Sequence, residues 1–187
     1  MRRTAKSIFI SFVLIFSLAL AAGAGGFHFK SGSFTAGSLT FNGVGVGFGN
    51  SDYVAVMDAE ATVRALCQNK GGNIAPGQED LFASVPGVPD SIENTEANGQ
   101  ASVSLTVEDP GIANLVSPIK KKDCPNGNWT AVDVTVVEWT SAHITITETG
   151  TGDVLFDQAY VCSGGGDVLD SNGLPTGAVN PVSCVEA

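Results

Sequence analysis

The sequence has few basic residues. Nine lysines and arginines stand against nineteen aspartates and glutamates among 187 residues, which gives a formal net charge of −10. Because nucleic-acid binding needs clustered positive charge, this balance argues against a nucleic acid as partner. Beyond the N-terminal segment the only basic run is Lys120-Lys121-Lys122, which adjoins Asp123 and is expected to be a solvated loop.

Groups that carry chemistry are also scarce. Of the two histidines, His28 lies in a glycine-rich region, and His143 opens a predicted strand, where a structural role is the default. No G-x-S-x-G nucleophile elbow occurs. "CQNKGGNIAPGQ" lacks the G-K-[ST] sequence with which a phosphate-binding Walker loop ends. "GVGVGFG" lacks the G-x-G-x-x-G spacing of a dinucleotide-binding loop. We therefore predict no catalytic residue, no cofactor and no enzymatic activity.

Metal-binding patterns are weak. No cysteine spacing is C-x-x-C, which argues against zinc. Asp167, Asp170 and Asn172, in "GGGDVLDSN", are weak calcium candidates because they offer hard oxygen ligands. The spacing is not that of an EF-hand, and Asx-turns explain the same residues. We predict no metal site.

The first 24 residues have the pattern of a signal peptide. A basic start with Arg2, Arg3 and Lys6 precedes an apolar run and small residues suited to cleavage. An uncleaved anchor is the alternative, but the run is short for a membrane span of roughly 20 residues. Cleavage after Ala24 would leave 163 residues and remove three basic residues, so the net charge would become −13. We predict a secreted or cell-surface protein that meets the membrane only through this segment.

Turn signals recur along the rest of the chain, with short alternating segments between them. This spacing predicts an all-β fold, an antiparallel β-sandwich that is Ig-like in architecture and stapled by disulfides. The predicted parts are a signal peptide (1–24), a glycine-rich N-terminal strand region (25–50), a sandwich core (51–162) and an irregular C-terminal tail (163–187). In the tail we expect no regular strands.

The segment from Tyr53 to Cys67 allows two interpretations. A helix could start at Asp58 and end before Gly71. Strict alternation of apolar and polar residues over the whole segment favours one long strand or two strands. We favour the strand.

Two other segments give specific expectations. Phe27, Phe34, Phe41 and Phe48 are each seven apart, and we interpret the spacing as coincidence, with Ser33–Phe41 as the best strand. Later, residues 128–140, 142–148 and 153–162 predict three strands of a meander, the last two joined by a Gly150-Thr151-Gly152 turn.

Four cysteines in an exported chain predict two disulfides, for which three pairings are open. We favour Cys67–Cys124, which would tie a strand end to the start of another strand. Cys162–Cys184 would then fix the tail to the last predicted strand. With this pairing, "CQNKGGNIAPGQ" is a covalently tied turn.

Two motifs carry a resemblance. C-x-N-x-G-G-N-x-x-P-G-Q (Cys67–Gln78) and C-P-N-x-x-W-T (Cys124–Thr130) resemble a group of small secreted bacterial proteins with no established biochemical activity. The resemblance implies a β-rich exported domain with Cys67 and Cys124 as its bridge. It offers no catalytic residue. Cys162, Cys184 and the tail depart from the pattern.

These observations predict an exported, non-enzymatic surface, envelope or matrix component that binds an unknown protein or surface partner. Self-assembly into fibres through the glycine-rich strand is one alternative, because sheet edges accept added strands. A secreted hydrolase, or an inhibitor of one, is the other.

Overall fold

The computed structural model describes residues 26–92 and 99–187, so the predicted signal peptide lies outside the described residues. Within these ranges the chain forms β-strands, two single-turn 3-10 helices (Ile112–Asn114 and Lys121–Asp123) and no α-helix. The strands are β1 (His28–Thr35), β2 (Leu39–Val46), β3 (Tyr53–Asn69), β4 (Ile74–Val85), β5 (Asp90–Ile92), β6 (Gln100–Val107), β7 (Trp129–Glu148), β8 (Val154–Gly164), β9 (Asp167–Leu169), β10 (Pro175–Val179) and β11 (Val182–Glu186).

The strands form two main sheets and one small hairpin. The larger sheet has the order β11-β8-β7-β3-β4, and β5 pairs with β3 beyond the end of β4. The second sheet has the order β1-β2-β6, and β9 pairs with β10. All these pairings are antiparallel. The prediction of an antiparallel all-β chain is confirmed.

Strand β3 follows the alternation seen in the sequence, so the helix interpretation of this segment is wrong. One side of the strand is buried along its whole length: Tyr53, Ala55, Met57, Ala59, Ala61, Val63, Ala65 and Cys67. Polar residues such as Asp58 and Glu60 occupy the other side and are exposed. A period of two places successive side chains on opposite faces of a sheet, which a helix could not do.

Strand β7 is continuous, so the prediction of two separate strands over residues 128–148 is wrong. It pairs with β3 from Trp129, opposite Asn69, to Glu148, opposite Tyr53. The register shifts at three places, where β7 carries one more residue than β3: Val132, Val137 and Thr140. Such bulges interrupt the alternation of side chains, and the interrupted pattern resembles two shorter strands.

The N-terminal region forms a hairpin. Residues 36–38 turn between β1 and β2, and Gly37 has a φ of +100°. The prediction that Ser33–Phe41 forms one strand is therefore wrong. Phe34 lies opposite Phe41, and a register shift between Phe29 and Ser31 adds a residue on β1.

The four phenylalanines that are seven residues apart pack near one another, a proximity that the sequence analysis did not predict. The four rings are placed symmetrically about the hairpin turn, and the extra residue on β1 returns Phe27 to the face that carries Phe34. The ring centroids of Phe27 and Phe48 are 4.7 Å apart, and those of Phe34 and Phe41 are 5.1 Å apart. On a single strand these four side chains would alternate between the two faces of the sheet, but the hairpin brings their rings together in one aromatic cluster.

Two glycines of β2 make room for these rings. A Cβ atom on Gly43 would lie 2.7 Å from the Phe41 ring, and one on Gly45 would lie 2.7 Å from the rings of Phe27 and Phe48. Both distances are shorter than carbon atoms tolerate. At these two positions the absence of a side chain therefore permits close packing of rings over the backbone.

The two main sheets contribute to one hydrophobic core. Rings of the β1–β2 hairpin contact β8, with Phe27–Phe156 and Phe34–Tyr160 centroid distances of 5.2 Å each. The inward residues of β6, Val103, Leu105 and Val107, are buried in the same core, as their alternation predicts. The outward Ser102, Ser104 and Thr106 are exposed.

The C-terminal tail is more regular than predicted. Residues 163–187 contain β9, β10 and β11, so the prediction of an irregular tail is wrong for these segments. Cys162 and Cys184 lie opposite each other on β8 and β11 and form a disulfide with a Cα–Cα distance of 4.0 Å. The favoured pairing of these cysteines is confirmed. Because most side chains of β10 and β11 are exposed, no apolar alternation marks these strands in the sequence.

We expect Gly45→Ala to destabilise the protein by about 1–3 kcal/mol, because the added methyl group must displace the packed rings of Phe27 and Phe48. Gly150→Ala is the matched control, since a Cβ there meets no atom within 4 Å. Urea denaturation followed by circular dichroism measures both. Equal effects of the two substitutions would contradict the packing role of Gly45.

Candidate binding groove

A buried disulfide joins the end of β3 to the long connection between β6 and β7. Cys67 and Cys124 have a Cα–Cα distance of 5.8 Å, and their exposed fractions are 0% and 4%. They form a small apolar cluster with Ala65, separate from the main core. The favoured Cys67–Cys124 pairing is confirmed.

The turn after Cys67 is held by its own side chains. The Asn69 Oδ1 atom accepts the N–H groups of Gly71, at 2.9 Å, and Asn73, at 3.0 Å. These are the donors that a phosphate-binding loop would direct at an anion. The interpretation of this stretch as a covalently tied turn is therefore confirmed.

The connection between β6 and β7 is anchored by charged groups as well as by the disulfide. Asp123 is 2% exposed, and its Oδ2 atom accepts the backbone N–H of Lys120 at 2.6 Å. The Lys122 ammonium donates to both carboxylate oxygens of Glu79 on β4, at 2.7 and 2.8 Å. This hydrogen bonding to Glu79 raises the pKa of Lys122. The backbone around Lys120 and Lys121 is therefore held by the Asp123 carboxylate and by the attachment of Lys122 to β4.

Next to the disulfide lies a groove of about 590 Å³, which we call the Trp129 groove. Most of its lining residues are apolar, and the large ones among them are Ile112, Leu115, Pro118, Ile119 and Trp129. Lys120 and Lys121 also line it, and no acidic residue does so among residues 26–92 and 99–187. Trp129 and Ile119 are only partly buried and pack against the Cys67–Cys124 cluster. The groove thus combines a mostly apolar wall with two lysine residues at its lining.

Sequence reasoning missed this groove. The lysines are exposed, as the prediction of a solvated loop requires, but they border an apolar surface that no sequence pattern indicated. The "C-P-N-x-x-W-T" motif does contain both Cys124 and Trp129. The wall of the groove, however, also includes Ile112 and Leu115, which the fold of the β6–β7 connection brings close to Trp129.

The weak calcium candidates do not share one site. The Asp167 Oδ2 atom accepts hydrogen bonds from the Thr135 hydroxyl, at 2.5 Å, and the Val136 N–H, at 3.1 Å. Asp170 accepts the N–H groups of Asn172 and Leu174, at 2.8 and 2.9 Å, in an Asx-type turn. These backbone bonds lower the pKa of Asp170. No group of three or more His, Cys, Asp or Glu side chains suited to a metal ion occurs in the described ranges.

The histidines have simple surroundings. His28 Nδ1 lies 3.1 Å from the Gly26 carbonyl oxygen. His143 is exposed, and its Nε2 atom contacts Asp157. The nearby Ser141 hydroxyl donates to Glu60 at 3.2 Å rather than to the imidazole. The described hydrogen bonds of these residues therefore form no nucleophile–base pair.

Comparison of the chain with protein-family models, with curated proteins and with solved structures gives no match. The resemblance to small secreted bacterial proteins therefore stays a prediction. In the part of the chain that the structure describes, no helix is long and apolar enough to cross a membrane.

Removing the Cys67–Cys124 bridge should lower the free energy of unfolding by about 4 kcal/mol, and removing Cys162–Cys184 by about 3 kcal/mol. The first bridge spans 57 residues and the second 22, and the longer loop restricts the unfolded chain more. Double cysteine-to-alanine variants of each pair, compared by chemical denaturation, measure the difference. A larger loss for the shorter loop would contradict this order.

Asp109, which follows β6, gives a pH-dependent prediction. Partial desolvation by neighbouring parts of the chain raises the pKa of its carboxyl group, and the negative charges of Asp167 and Glu108 raise it further. Because the folded chain holds this proton more tightly than the unfolded chain, the group's contribution to stability falls as pH rises from the ordinary value of 3.8 through the raised one.

We therefore expect Asp109→Asn to raise the melting temperature at pH 7 and to lose this advantage below about pH 3. Asp153→Asn, in the exposed β7–β8 turn, removes the same formal charge and serves as the control. Thermal unfolding of both variants at several pH values is the measurement. An equal rise in melting temperature in the two variants would show that the effect comes from net charge alone, and would contradict the prediction.

Proposed function

We propose that this chain is an exported, non-enzymatic antiparallel β-sandwich, Ig-like in architecture, that acts as a binding or structural component at a cell surface, in an envelope or in an extracellular matrix. The two-layer arrangement is supported by the shared core: Phe34 on β1 and Phe41 on β2 lie against Tyr160 on β8, and the ring centroids of Phe48 and Tyr53 are 5.1 Å apart. Sandwiches of this kind bury the inner faces of two sheets against each other.

Export is supported by the cysteines and by the N-terminal sequence. All four cysteines are joined in two disulfides, which form and persist in oxidising compartments. The basic start and apolar run of the first 24 residues supply the corresponding targeting signal. The acidic charge of the chain suits a soluble exported protein.

The observation that carries a binding role is the Trp129 groove. It is concave, mostly apolar and held open by a buried disulfide, as ligand sites commonly are. Its lining residues come from the connection between β6 and β7 and from the start of β7. A connection with only a structural role would be expected to cover these apolar side chains. Trp129 and Lys121 are thus the residues through which we expect the chain to act.

Self-association is a second candidate, and the positions of the sheet edges favour it. The edge strands β1 and β11 lie side by side, and a cavity of about 440 Å³ between them is lined by Phe34, Tyr160 and Val182. Open edges of this kind can accept a strand from another chain. The predicted donor, the glycine-rich segment, is already paired with β6 in its own chain. Sedimentation at increasing concentration separates a monomer from a concentration-dependent assembly.

Export is tested by the intact mass of the protein recovered outside a bacterial host. We expect loss of about the first 24 residues and a mass four hydrogens below that of the reduced chain, with no thiol reactive to maleimide. Leu14→Arg, which interrupts the apolar run, should keep the chain inside the cell. Full-length protein with four free thiols would overturn the proposal.

A further inference from the structure

We propose that the Trp129 groove is a binding site for a small apolar anion, a carboxylate with an aryl or alkyl body. The body would lie against Trp129 and its apolar neighbours, and the carboxylate would face Lys120 and Lys121. This inference rests on the proposed binding function and names the ligand class of that site.

The apolar part of the site is accessible. Ile112, on the single-turn helix Ile112–Asn114, has an exposed fraction of 41% although it lines a concave surface. Trp129, Ile119 and Leu115 continue the same wall and are partly buried. The volume, about 590 Å³, lies within the roughly 300–1,000 Å³ of ligand sites. An aromatic ring or short alkyl chain would remove this surface from water, which is the main driving force for such binding.

The charge of the groove selects an anion. Lys122 is engaged by Glu79, and the buried Asp123 carboxylate is bonded to the Lys120 backbone N–H. Within the described ranges no ion pair joins a carboxylate to the side chain of Lys120 or Lys121. In a chain of net charge −10, these two ammonium groups form a local positive site. Cations are therefore repelled from the groove, and anions are attracted to it.

Both features are needed for affinity. An ion pair between exposed groups contributes little, so a small inorganic anion would gain little from the lysines. A neutral apolar molecule would bury surface but leave the cations without a partner. A ligand that carries both parts satisfies both halves of the groove. The fixed neighbours of the connection, the Cys67–Cys124 disulfide and the Lys122–Glu79 pair, reduce the ordering needed on binding.

Two dyes of nearly equal shape test the charge requirement. The probe 1-anilinonaphthalene-8-sulfonate carries an anionic group, and N-phenyl-1-naphthylamine is the same aromatic body without it. Trp139→Phe leaves Trp129 as the single tryptophan, so quenching of its fluorescence reports occupation of the groove. We expect saturable binding of one anionic dye per chain, about five- to tenfold tighter than the neutral dye, as two exposed ion pairs provide.

Substitutions in the groove give the decisive comparison. Lys120→Gln with Lys121→Gln should bring the two dyes within about twofold of each other. Lys30→Gln with Lys70→Gln, at exposed positions outside the groove, should leave the difference unchanged. Ile112→Asp should weaken the anionic dye at least tenfold, and its uncharged counterpart Ile112→Asn should weaken both dyes similarly. Circular dichroism checks that each variant is folded.

Competition identifies the source of the carboxylate. Phenylacetate displaces the dye if the natural ligand is an aryl acid, and dodecanoate displaces it if the ligand is an alkyl acid. Equal affinity for the two dyes in the Trp139→Phe chain would overturn the inference. So would dye binding that does not change when Lys120→Gln with Lys121→Gln, or Ile112→Asp, is added to that chain. The assay uses the folded, oxidised chain with or without its first 24 residues, so a failure of export does not affect it.

Discussion

The pairing of β3 with β7 is the constraint on which the rest of the structure depends. It runs from Tyr53 to Asn69, and at three places β7 carries one additional residue that shifts the register and interrupts the ladder locally. β4 and β8 pair on either side of these two strands, and the rings of the second sheet cover part of their inner face. Near Asn69 that second sheet is replaced by the connection between β6 and β7, fixed by Cys67–Cys124.

The groove lies where the β6–β7 connection, rather than the second sheet, packs on the inner face of the larger sheet. Where two sheets face each other, side chains interdigitate and leave a dry core. Where a loop covers the sheet instead, the disulfide and the buried Asp123 hold the chain in place without filling the space beside Trp129. The same residues that stabilise this end of the sheet therefore leave an apolar surface open. Cys124 takes part in both features, because it forms the disulfide and also lines the groove.

Much of the fold follows from local patterns in the sequence. The alternation along β3 and β6 predicted their buried faces correctly because each strand lacks bulges at those inward positions. Cysteine positions at strand ends were sufficient to favour the observed pairing. Where the register shifts, as at Val137 on β7, the period of two is interrupted and a local pattern no longer predicts the strand.

The remaining features depend on contacts between distant residues. The role of Gly45 can be recognised only when Phe27 and Phe48 are known to meet above it. The groove likewise requires Ile112 and Trp129 to face each other, and neither residue has a neighbour in sequence that indicates this. β11 is ordered by its partner β8 rather than by an apolar pattern of its own. In each case the deciding information is tertiary.

The contact of Phe27 with Phe156 has a consequence for how the chain acquires its structure. These rings are separated by 129 positions, so the β1–β2 hairpin gains its packing partners on β8 only after the intervening chain has been made. Contacts of such high sequence separation slow folding because a long loop must be closed first. A chain threaded through an export channel from its N-terminus would therefore complete its aromatic cluster on the far side, after β8 has emerged.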